Sequence, residues 1–144
     1  MSAASQSGKS LHKQDLVLWA MQTAELLREG AELSEDEREQ VAEEIYGVAS
    51  SARRELKSRI VNLLIPLLKI KYQPEKWTRS WHVTVANQRQ EIELVLEESP
   101  SLQNVLENDL PQLYTRTRKN AKIETGVDAF PEQNPFTLEQ ILNG

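Results

Sequence analysis

Apolar side chains recur at three- and four-residue spacing along most of this chain, and that period is the mark of helices. Leu16, Trp19, Ala20, Thr23, Leu26 and Leu27 make a first stripe. It predicts a helix from near Asp15 to Gly30, a glycine placed where a helix commonly ends in the left-handed conformation. Ser34 followed by Glu37 predicts a capping box, with Glu35 and Asp36 favouring the positive end of a second helix. From there Val41, Ile45, Val48, Ala52, Leu56, Ile60, Leu63 and Leu67 carry the period onward. The run reads as one long helix with a bend, the alternative being two helices parted around Gly47 to Ser51, where glycine and serines weaken the propensity. Pro66 has no amide hydrogen and its ring crowds the preceding turn, so a kink is expected between Asn62 and Leu67.

A third helix opens near Thr78 or Ser80, carries Trp81, Val85, Gln88, Ile92, Val95 and Leu96 on one stripe, and ends near Glu98. Ser99 as N-cap with Pro100 at the first helical position predicts a fourth, through Leu102, Val105, Leu106, Leu110 and Leu113 toward Gly126, bent or restarted at Pro111. Phe130 to Phe136 reads as an extended loop, and Thr137 with Gln140 caps a last short helix carrying Leu138, Ile141 and Leu142. The fold class is all-α: a bundle of about four main helices, the second long and kinked, with a short C-terminal docked helix. Residues 1–13 are expected to be a flexible N-terminus and 14–142 a single helical domain.

Composition narrows the function classes. At 144 residues, 39% hydrophobic and 27% charged with five glycines, the chain has the size of one globular domain and favours long helices over hairpin turns. It has no cysteine, which excludes disulfides, thiolate zinc sites, iron–sulfur clusters and thiol nucleophiles. His12 and His82, far apart in sequence, are too few for a transition-metal site, so no metal and no cofactor are expected. Met1 to Ser10 is polar and has no apolar signal core. The longest apolar run, Ile60 to Leu68, is interrupted by Asn62 and Pro66 and is too short to span a bilayer. No membrane association and a cytoplasmic location are the corresponding expectations.

Charge is segregated. Residues 1–50 carry 4 basic and 10 acidic side chains, residues 51–90 carry 9 and 2, and residues 91–144 carry 4 and 10. A basic centre, led by the patch Arg53, Arg54, Lys57 and Arg59, thus lies between two acidic arms. Such a block either receives an anionic partner or pairs internally with the arms. On a helical projection of residues 53–72, one narrow polar wedge holds Ser58, Arg59, Asn62, Pro66 and Lys69, which faces solvent or lines a cleft.

Lys69, Tyr72, Gln73, Arg79, Ser80, Trp81, Gln88 and Arg89 form the candidate anion- or partner-binding set. Gln88 falls in the middle of an apolar stripe and needs a hydrogen-bond partner there. It and Arg89 are expected to bond backbone carbonyls of the 72–78 connection; alternatively the arginines, Gln73 and Ser80 near a helix start bind phosphate or carboxylate. Basic residues interleaved with Tyr72, Trp77 and Trp81 also suit RNA or DNA contact. Arg116, Arg118, Lys119 and Lys122 are ordinary partners of a helix C-terminus. No phosphate-binding GxxxxGK, GxGxxG, GxSxG or HExxH pattern is present, and no residue takes a catalytic role.

The run Leu63-Leu64, Leu67-Leu68-Lys69, Tyr72-Gln73-Pro74-Glu75, Arg79-Ser80-Trp81, Gln88-Arg89 and Ser99-Pro100-Ser101-Leu102, followed by Glu124-Thr125-Gly126 and Pro135 to Leu142, resembles the domain of unknown function 29 family. The resemblance implies a helical protein, bacterial and often cyanobacterial, of unassigned role. Members typically carry histidine where this chain has Pro66, a departure that removes the obvious general base and weakens a hydrolase or nuclease reading. The expected function is a small cytoplasmic protein-interaction module with an unknown protein partner or a second copy as a homodimer. The alternatives are a nucleic-acid-binding protein using residues 53–89 and, third, a hydrolase or nuclease.

Overall fold

A computed structural model describes residues 11–144. Of the segment expected to be flexible, residues 1–10 lie outside the described residues, and residues 11–14 form a helical turn. The chain is all-α, with no strand among the described residues. Four long helices follow in order: α1 (Leu16–Arg28), α2 (Glu35–Tyr72), α3 (Arg79–Glu98) and α4 (Gln103–Thr125), with a short α5 (Leu138–Asn143) at the end. Packing divides the chain into two compact units, one up to Ser50 and the other Ser51–Gly144. α2 contributes its first part to one unit and the rest to the other.

The first unit is a helical hairpin. The Asp15 carboxylate caps α1 by accepting from the Leu18 amide at 3.0 Å, and Gly30 leaves the helix at φ 73°. That left-handed conformation lets the Gly30 and Ala31 amides turn back to the Leu27 and Leu26 carbonyls. α2 opens on the capping box expected at Ser34: the Glu37 amide donates to Ser34 Oγ at 3.1 Å and the Ser34 amide to Glu37 Oε1 at 2.8 Å. Across the hairpin, Trp19 Nε1 donates to Gln40 Oε1 at 3.2 Å. His12 tilts onto the Trp19 ring at 4.5 Å, and its Nε2 lies 2.6 Å from Glu44 Oε1.

The second unit holds the apolar core. Leu56, Ile60, Leu63, Leu64 and Leu68 of α2 are fully buried and meet Ile92 of α3, Leu106 and Tyr114 of α4, Phe130 of the loop and Ile141 of α5. Each such side chain withdrawn from water contributes roughly 1.5–3 kcal/mol before conformational entropy is counted. α2 runs unbroken through Gly47 and Pro66. The proline takes a donor only from the carbonyl of Asn62, an exposed residue that water can serve, and its own apolar ring is buried. Pro66 therefore does not share the exposed polar strip of Ser58 and Asn62, where the helical projection had placed it. α4 likewise continues through Pro111.

The start of α4 differs from the local reading. The Ser99 side chain makes no capping bond; a 3₁₀ turn over Pro100–Leu102 precedes α4, which begins at Gln103. The tail docks as expected: the Thr137 and Gln140 capping box is formed in both directions, and Ile141 is fully buried. Tyr114 fastens the loop before it, its hydroxyl donating to the Pro131 carbonyl at 2.6 Å. Burial, with Tyr72 nearby, pushes the Tyr114 pKa above the usual phenol value, against the opposing effect of Arg118.

Candidate functional site

Two surfaces compete for a functional role, the basic centre in the second unit and the apolar face of the hairpin. Most of the basic centre is engaged within its own unit. Lys57 meets Asp109 at 3.2 Å, and Arg59 reaches Glu55 at 3.2 Å and Glu91 at 3.7 Å. Lys69 pairs with Glu124 at 2.8 Å and lies 5.8 Å from the centre of the Trp81 ring. Arg53 is half-buried, while Arg54 and Arg79 are exposed. The patch of Arg53, Arg54, Lys57 and Arg59 is thus partly neutralised by carboxylates of α2, α3 and α4. These pairs are partly solvated and individually weak, but together they lower the positive potential that a phosphate would need.

The motif residues are not brought to one place. Arg79 opens α3, and Arg89 follows ten residues later, about 15 Å along the helix axis and on a different face. Arg89 Nε donates to the Ile141 carbonyl at 2.9 Å and Nη2 to the Gln140 carbonyl at 3.0 Å. It therefore caps the end of α5 rather than the 72–78 connection, giving the Ile141 carbonyl a donor near the helix C-terminus and adding a second to the Gln140 carbonyl, which already accepts from the Gly144 amide. Gln88 Oε1 is buried with no hydrogen-bond partner among the described residues, so the partner expected for it is not formed. Tyr72 packs edge-on against Phe130 at 6.4 Å. Gln73 is buried and donates its backbone amide to the Lys69 carbonyl at 2.8 Å. Ser80 Oγ lies 3.0 Å from Thr78 Oγ1, the atom that caps α3 at the Trp81 amide. Trp77, exposed, donates its indole N–H to His82 Nε2.

These contacts give most of the motif an architectural use. They join α2 to α3, hold α5 and fasten the loop, and they leave no converged set of donors for an anion. Among the described residues, no group of three or more histidine, aspartate or glutamate side chains converges as metal ligands. No helix among them is long and apolar enough to cross a membrane.

The hairpin presents the opposite picture. Trp19 and Gln40 are its only buried residues among those described. Val17 is 70% exposed, Met21 68%, Ile45 66% and Val48 73%. Leu27, Leu33, Val41, Ala42 and Ile45, with Arg38, line a groove of about 420 Å³ between the two arms. The sequence stripe for α1 had Leu16, Ala20, Leu26 and Leu27 beside Trp19 as core positions, yet all four are exposed. The missed signal lies in α1 itself. Leu16, Val17, Ala20, Met21, Ala24 and Leu27 make a second apolar arc from about 60° to about 200° round the helix from Trp19, so this short helix has more apolar surface than one packing neighbour covers.

The family model for the domain of unknown function DUF29 matches residues 11–144. No curated protein and no solved structure matches the chain.

Proposed function

This chain belongs to the DUF29 family, whose function is unassigned, and from that premise we propose that it is a small cytoplasmic protein-interaction module that receives its partner on the hairpin up to Ser50. The observation that carries this reading is the exposure of large apolar side chains that line one groove between the arms of the hairpin, Leu27 of α1 and Ile45 of α2. Scattered apolar residues on a surface are ordinary, whereas apolar residues of two helices gathered along one groove mark a surface that a partner covers. Helix faces of this kind take another helix into the groove, with contacts at positions i, i+3, i+4 and i+7.

The nucleic-acid alternative draws no comparable support, because Lys57, Arg59, Lys69 and Arg89 are already occupied by protein acceptors. The test is retention from cell extract on the tagged full chain at low and high salt, for the native sequence and for the groove variant Leu27→Ser with Ile45→Ser. A protein retained through high salt by the native chain and lost from the variant supports the reading. Equal retention by both sequences overturns it. Nucleic acid that leaves as salt rises moves the function to the basic centre, since phosphate contacts weaken steeply with salt.

A further inference from the structure

The groove of the hairpin has a charge setting that selects among occupants. Between Glu25 and Tyr46 the chain carries nine carboxylates and two basic residues, Arg28 and Arg38, a net charge of −7. The carboxylates flank the groove residues in sequence: Glu32 precedes Leu33, and Glu43 and Glu44 lie between Ala42 and Ile45. Seven of the nine are exposed; Glu37 is spent on the capping box and Glu44 meets His12. An apolar floor in a strongly negative surround attracts a ligand that is apolar on one side and positive on its flanks. It repels a second copy, whose own hairpin brings the same charge to the contact.

Resting on the interaction reading above, we propose that the occupant of the groove is a basic amphipathic helix of a partner protein. Its apolar stripe seats on Leu27, Val41 and Ile45, and its lysines and arginines face the carboxylates on either side. The apolar contact sets the residence of the complex, and the charges set its rate of formation and exclude acidic helices. Arg38, the basic residue in the groove lining, is the position where the partner needs a neutral or acidic side chain.

The test uses the full chain and three synthetic helical peptides of about 18 residues, five turns in length. One carries a leucine stripe with lysine flanks, one the same stripe with glutamate flanks, and one the leucine and lysine composition scrambled so that no stripe remains. Fluorescence anisotropy of the labelled peptides reads binding to the native chain and to Val41→Ser with Ile45→Ser, a variant that leaves the charge unchanged. The striped lysine peptide should bind about tenfold or more tightly than either other peptide, and the serine variant should lose about tenfold. Equal binding of the scrambled peptide reduces the interaction to bulk electrostatics and overturns the proposal. Equal or tighter binding of the glutamate peptide overturns it too, and both comparisons stand on the native chain even if the variant unfolds. Sedimentation at the same concentrations separates this failure from that of the wider reading. A dimer abolished by the serine substitutions makes a second copy the occupant, overturning the basic partner while the interaction module stands. A monomer that binds no peptide and retains no protein from extract removes both.

Discussion

On the two sides of Ser50 the chain uses similar raw material to different ends. Beyond it, leucines and isoleucines of α2 are enclosed by α3, α4, the 130–136 loop and α5, and the polar motif residues tie those pieces together. Before it, two helices of comparable apolar content bury, among the described residues, one tryptophan and one glutamine and leave most of their other apolar side chains exposed. The charges follow the same division: in the second unit basic groups meet carboxylates of the same unit, while the hairpin carries an uncompensated negative excess. An enclosed core answers the demands of folding. A face left open on a helix pair, with charge of one sign around it, answers those of recognition.

The contrast is most easily broken by truncating one side chain in each region. Leu64→Ala in the core should cost about 2–5 kcal/mol in denaturant unfolding, while Ile45→Ala on the hairpin should stay within about 0.5 kcal/mol. Comparable losses at the two positions would mean that the hairpin face is covered in solution. A smaller effect is expected for Trp19→Phe, which leaves the buried Gln40 carbonyl without its donor at a cost of about 1–3 kcal/mol. Amide hydrogen exchange should accelerate in α1 and stay unchanged in α3 and α4; acceleration throughout the chain would show one cooperative unit instead of two.

Least of all should Tyr114→Phe cost, about 1 kcal/mol for the lost bond to the Pro131 carbonyl. It should also alter the response to alkali. Because burial raises the folded-state pKa of Tyr114, its neutral form is favoured by folding. The resulting stability is present below the ordinary phenol pKa of about 10 and is lost as pH rises through the folded value. Unfolding midpoints followed above about pH 9 should fall less steeply in the phenylalanine variant, and parallel curves would remove Tyr114 as the source.

Much of the architecture is legible in local sequence because the signals at helix ends are local. Asp15, the Ser34 and Glu37 pair, Thr78, the Thr137 and Gln140 pair and the helix-ending glycines at 30 and 126 each act within a turn of themselves. Periodicity likewise located Ile60, Leu63, Val85 and Ile92. What it did not give is which apolar stripe finds a neighbour. Ile45 and Ile60 stand on one continuous stripe of α2, yet one is exposed and the other buried, because burial depends on packing that sequence spacing alone does not encode. Arg89 misled for a related reason: its acceptors are carbonyls of residues more than fifty positions away, and nothing near it in sequence announces them. Pro66 is placed by helical projection on the polar wedge with Ser58 and Asn62, which are exposed, whereas its apolar ring is buried.

The packing of His12 on Trp19 has a practical use of its own. The chain holds three tryptophans, and Trp77 and Trp81 belong to the second unit. With both of those replaced by phenylalanine, Trp19 becomes the sole indole fluorophore, seated at the junction of the two hairpin arms against the His12 ring. Emission from that single buried ring then serves as an optical gauge of the hairpin, shifting toward longer wavelength when the arms part and water reaches it, and it reports on this region with no other indole contributing.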